Sequence, residues 1–250
     1  MNMLRCLRSD MRRAFGVNML LIAIGTVAVQ FLCLMDFWGE KMSLIYVLDV
    51  STGIGQFQFL APSVACLGFA NAVYVDMKSG YDKFLHMRCG YRNYCISKCI
   101  ACGVSAFCGV ALGMAAFFLS YYVWGCPLID EGLWLYSGWG IDQPLAYIAS
   151  RILYRAVAGS AWSMLGLFIS VYMPNPFVIR IMPFIAVYMA TYVFNSIMRL
   201  PGSIYALECG RLQFVSPIAE MSTTLTVLFG LAIVFASAFA HGLKRRYRNG

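Results

Sequence analysis

The residues best suited to chemistry lie together in the stretch CISKCIAC, where Cys95, Cys99 and Cys102 are spaced four and then three apart. This is the spacing at which radical enzymes that use S-adenosylmethionine hold an iron–sulfur cluster. A cubane cluster needs ligands that curl around one point. No proline or turn cluster separates these three cysteines, so on a helix they share one stripe of about 60°, with Cys95 and Cys102 about 10 Å apart along the axis. A straight helix cannot wrap a cluster, and buried free cysteine packs as a small hydrophobe. With Ala101, Gly103, Ser105, Cys108, Gly109 and Gly113, the stripe predicts a small-residue seam for close helix packing.

Other catalytic constellations lack their parts. The histidines are His86 and His241 alone, so a zinc hydrolase or a histidine-based triad is not expected, nor a metal site of any kind. No G-x-x-x-x-G-K-[ST] loop is present, which excludes ATP hydrolysis by that route. Asp36 and Asp76 are expected at opposite membrane faces, too far apart to work as a pair. Four polar residues in or beside apolar stretches are candidates to line a translocation path: Arg151, Arg155, Gln30 and Asn195. For the two arginines a second reading stands beside it, in which both snorkel to the outer headgroups.

The elements that position these residues follow from composition. Of 250 residues, 61% are hydrophobic and 12% charged, and the mean hydropathy is +0.71. Soluble domains carry about twice that charge, so the chain reads as an integral membrane protein. Six apolar stretches, 17–35, 57–75, 96–123, 156–173, 177–198 and 223–241, each come near the length that crosses about 30 Å of hydrocarbon. The expected fold is all-α, because backbone in lipid must satisfy its own hydrogen bonds. The basic start followed by an apolar run is too long for a signal peptide and reads as an uncleaved first span.

Charge orients the spans. Fourteen Lys or Arg and three acids fall on one side, five Lys or Arg and eight acids on the other. By the positive-inside rule the first side, with both termini, is cytoplasmic. The net charge of +8 is dispersed along span ends, where it meets anionic lipid, so a nucleic-acid partner is not expected. Cys126 and Cys209 fall in external loops, as a disulfide or as two free thiols.

Two cytoplasmic elements flank the spans. In residues 1–15, Met3, Leu4, Leu7, Met11, Ala14 and Phe15 share one helical face, with Arg5, Arg8, Arg12 and Arg13 on the other; this predicts an interfacial helix along the inner leaflet. In residues 79–90, Gly80 and Gly90 bracket a short amphipathic helix on which Tyr81, Phe84 and Leu85 share a face. Pro174 and Pro176 build a tight turn between the fourth and fifth spans, and Pro183 is expected to kink the fifth.

Taken together, these features resemble the membrane subunits of ABC transporters of the type-2 (exporter) permease superfamily, in particular small six-span bacterial members. The segment PLAYIASRILYRAVAGSAWSMLGLFISVYMPNPFVIRIMPF is similar to a recurrent pattern there, carried by Arg151, Arg155, Gly159, Trp162, Asn175, Pro183 and Phe184. GYDKFLHMRCGYRNYCISK, with Lys98 entering the third span, is similar to the family's coupling region; the cysteines are a departure from the pattern. The resemblance implies that residues 1–15 are the elbow helix and that Tyr81, Asp82, Lys83, Phe84, His86, Met87 and Arg88 engage a separate cytoplasmic ATPase. It further implies a second permease copy or paralogue as partner, a location in a bacterial inner membrane, no catalysis by this chain, and ATP and Mg bound only by the ATPase. The rival expectation is a self-sufficient secondary transporter, for which inverted repeats, broken spans and intramembrane ionisable groups are the usual signs, or another non-ABC polytopic membrane protein such as a membrane enzyme.

Overall fold

The chain enters through two helices that meet at a corner. α1 (Met3–Ala14) and α2 (Val17–Cys33) are bent by 46° at their junction. Gly16 makes the bend with φ +129°, backbone space that a side chain would strain. The computed structural model describes residues 3–35, 42–49, 51, 59–82, 84, 89–128, 143–173, 175–192 and 217–249, and among these it is helical without strands.

α1 has three faces rather than the two expected. Arg5, Arg8 and Arg12 are exposed, Leu4 is exposed beside them, and Cys6, Asp10 and Ala14 are buried. Spacings of four put the last three on one stripe, which packs on the start of α6 (Tyr91–Val123).

The stretch read as a second continuous span is broken. It forms α4 (Ala61–Ala65), a 3-10 turn over Phe69–Asn71 and α5 (Ala72–Lys78); residues 57 and 58 lie outside the described residues. Apolar content alone predicted one rod there, but Pro62 and Gly68 are poor interior helix residues. A Cβ on Gly68 would lie 2.6 Å from Ile22 Cδ1, so this break is where the chain presses against α2. The stretch between α2 and α4 holds α3 (Leu44–Asp49), whose Leu44, Ile45, Val47 and Leu48 are buried against Phe117, Phe118 and Tyr147.

α6 and α7 (Pro144–Tyr172) form the centre, each longer than its apolar segment. α7 packs on α6, α4, α5, α8 (Pro176–Tyr192) and α9 (Pro217–Asn249). Most of the seam is buried on α6, with Ala101, Cys102, Gly103, Ser105, Gly109 and Gly113, while Cys99 and Cys108 are half-buried. A Cβ on Gly113 would meet the Ala23 carbonyl oxygen and Thr26 Cβ at 2.7 Å, so α2 and α6 touch backbone to backbone. Cys95 and Cys102 belong to the core beneath α1, as packing residues.

Among the described residues three helices are long and apolar enough to cross a membrane, Tyr91–Val123, Pro144–Tyr172 and Leu225–Arg248, and the bent α1–α2 pair makes a fourth if counted as one span. α8 is shorter and continues through Pro183. Residues 193–198 of the expected fifth span, with Asn195, lie outside the described residues.

Candidate functional site

Three polar features stand out among the described residues of the apolar bundle. The first is a charged joint where α1, α5 and α6 converge. Lys98, fully buried, donates to Asp10 Oδ1 at 2.7 Å and contacts Asp76 Oδ2 at 2.6 Å. Arg13 donates to Asp76 Oδ1 at 2.9 Å, Ser97 to Asp10 Oδ2 at 2.5 Å and Tyr94 to Asp76 Oδ2 at 3.3 Å. The Lys98 ammonium also lies 5.1 Å from the Phe69 ring centre and 5.4 Å from that of Tyr94, within cation–π range.

Two carboxylates and two cations sum to zero, which is how buried charge is tolerated. Burial works to lower the Arg13 guanidinium, but the hydrogen bond and charge of Asp76 outweigh it and hold it above its usual value. Burial, aided by a hydrogen bond with Cys89, pushes the Cys6 thiol up to about 11. These groups lock three helices together.

Residues 79–90 hang between two arms of this joint, α5 carrying Asp76 and α6 carrying Lys98. Gly80 and Gly90 both have positive φ, as turn points at its two ends. Tyr81 and Phe84 are exposed and stacked, 6.2 Å between ring centres. Asp82 is a correction. Expected on the exposed face, it is buried and accepts a hydrogen bond from Tyr247 at 3.0 Å. Its carboxylate fastens the segment to the end of α9, where Tyr247 also meets the Tyr91 ring edge-on and Tyr91 donates to the Ala240 carbonyl. Both ends of the described chain therefore gather at the joint. Lys83, Leu85, His86, Met87 and Arg88 lie outside the described residues.

The second feature is a cavity of about 40 Å³ walled by α2, α4, α6, α7 and α8. That volume admits roughly three waters, at about 10–15 Å³ each. Two of the four path candidates, Gln30 and Arg155, line it together with Thr26, Met114 and Trp162. Gln30 is 2% and Arg155 6% exposed, and Gln30 Oε1 has no hydrogen-bond partner among the described residues. Snorkelling thus fails for Arg155, which turns inward. Arg151, one turn earlier, donates to the Tyr147 hydroxyl at 2.8 Å and lies over that ring, apart from the cavity. The third feature is a groove at the joint end, lined by Lys78 and Arg180.

Sequence reasoning missed the joint. Asp10 stands among four arginines and reads as solvated; its signal was the Cys6–Asp10–Ala14 stripe of otherwise small residues. Lys98 was recognised only as a span entrance, yet it lies between Ser97 and Cys99 on a face of small side chains. Cys209 lies outside the described residues. Among the described residues no group of three or more metal-ligating side chains is brought together. No family model matches the chain, and neither a curated protein nor a solved structure is similar to it.

Proposed function

We propose that the chain is the membrane permease subunit of an ATP-driven exporter, working with a separate cytoplasmic ATPase and a second permease copy. The observation that carries this reading is the charged joint. A push on residues 79–90 reaches α5 through Asp76, α6 through Lys98, α1 through Asp10 and α9 through Asp82. Energy from ATP binding elsewhere can then tilt several helices as one body, which is what alternating access requires. Tyr81 and Phe84 are the exposed anchors that an ATPase groove would take.

In this reading six spans cross a bacterial inner membrane with both termini in the cytoplasm, supported by the basic excess on the joint side. The cavity at Gln30 and Arg155 is the closed remnant of the path. The outward face of α9, with Phe229, Ile233 and Val234 exposed, meets the second copy or lipid. A secondary transporter is the rival that the buried Arg155 favours.

The test removes the anchors without touching the spans. A Tyr81→Ala/Phe84→Ala variant is expected to insert normally and to lose ATPase co-purification and ATP-dependent efflux, since anchors at an interface centre cost about 2 kcal/mol or more each. Transport driven by an ion gradient in proteoliposomes without ATP would establish the rival instead.

A further inference from the structure

At the joint end, two open grooves flank α5, and their charges differ. In one, Arg13 faces Asp76 and is neutralised. In the other, of about 620 Å³, Lys78 from the last turn of α5 and Arg180 from the first turns of α8 line the same space with Asn71, Tyr74, Val75 and Pro176. Neither cation has an ion-pair partner among the described residues, and the Arg180 Nε is buried without a hydrogen bond there. The first turn of α8, entered at Pro176 and capped by Asn175 on the Phe177 amide, adds its positive end. The rest of the lining is partly apolar, with Tyr74, Val75 and Pro176, and Val75 is exposed.

We infer that this groove is a binding site for an anionic phospholipid of the leaflet at the joint end. The phosphate sits between the Lys78 ammonium and the Arg180 guanidinium, whose fork matches phosphate oxygens. The acyl chains run over Tyr74, Val75 and Pro176. Cations beside apolar side chains fit an amphiphile better than an acidic protein surface, which would leave the apolar lining against water. The site stands whether or not the chain is an exporter subunit.

Purified wild-type protein in phosphatidylcholine nanodiscs would be doped with a diazirine-bearing phosphatidylglycerol, irradiated and mapped by mass spectrometry. Adducts are expected at Tyr74, Val75 or Pro176, and a phosphatidylcholine probe of the same chain length should leave these residues unlabelled. A Lys78→Gln/Arg180→Gln variant should bind short-chain phosphatidylglycerol about thirtyfold more weakly, whereas Lys78→Arg/Arg180→Lys should retain binding. Equal labelling by the two lipids, or none at these residues in the wild type, would overturn the site whatever the variants do. Labelling suppressed by a co-purified ATPase instead of by unlabelled phosphatidylglycerol would assign the groove to a protein partner and overturn it equally.

Discussion

At the joint, Lys98 meets two carboxylates, a tyrosine hydroxyl donates to one of them and a serine hydroxyl to the other, with Arg13 closing the set. In the cavity, Arg155 and Gln30 share walls that are largely apolar, and the Gln30 Oε1 is left without a partner among the described residues. Both regions bury polar groups in one apolar bundle, and the difference lies in satisfaction. A network whose members are all paired fixes geometry. A buried acceptor without a partner costs about 1–3 kcal/mol, a cost that persists where something passing through can satisfy it. Under the proposed transport function, the joint is the part that would transmit motion, and the cavity the part that would contact what is moved.

The contrast breaks most sharply at Lys98. Lys98→Ala leaves Asp10 and Asp76 buried with Arg13 as their remaining cation, and should destabilise the protein by about 3–5 kcal/mol in denaturant titrations of the detergent-solubilised chain. Gly113→Ala comes next, because its Cβ would press on the Ala23 carbonyl and Thr26. A loss of about 1–3 kcal/mol is expected, with the cavity wall on α2 displaced and transport impaired. Gln30→Leu should have the opposite sign, gaining about 1 kcal/mol by removing the orphaned acceptor while reducing transport. Equal losses of stability for Lys98→Ala and Gln30→Leu would erase the distinction between the two regions.

The smallest effects belong to the cysteines. Cys95→Ala/Cys99→Ala/Cys102→Ala should retain assembly and transport; bound iron in the wild type that disappears in this variant would show that the stripe is a ligand set. Cys6 adds a pH signature. Its folded thiol titrates near 11 against an ordinary value of 9.0, so burial favours the neutral form. That contribution is complete below pH 9 and fades as pH rises from about 9 to 11, so thermal stability should fall over this window. Cys6→Ala should show a shallower fall.

The helical class and the apolar character of the spans were legible in the sequence because both depend on local composition and period. The seam through Gly109 and Gly113 was legible for the same reason. The break at Gly68 was not, since it depends on how closely α2 approaches. Nor was the joint, because Asp10, Asp76 and Lys98 are 66 and 22 positions apart in sequence, and each alone resembles an ordinary span-end charge. Gln30 and Arg155 were picked individually as polar residues in apolar stretches, yet nothing local says that they share a cavity. Asp82 misled for a related reason: its neighbours give it an exposed face, and Tyr247 covers it from the far end of the chain.

The claim that the joint carries motion can be separated from its part in stability. Well-packed apolar replacements of a buried ionic set are often neutral or stabilising, so Asp10→Leu/Asp76→Leu/Lys98→Met should keep the fold, and Arg13, partly exposed, can turn to solvent. The decisive measurement first isolates the proposed ATPase by co-purification with the wild type, then compares ATP hydrolysis with ATP-dependent efflux for this variant reconstituted with it. If the joint carries motion, the ATPase still binds and hydrolyses ATP while efflux falls at least tenfold. Efflux at the wild-type ratio to hydrolysis would contradict it.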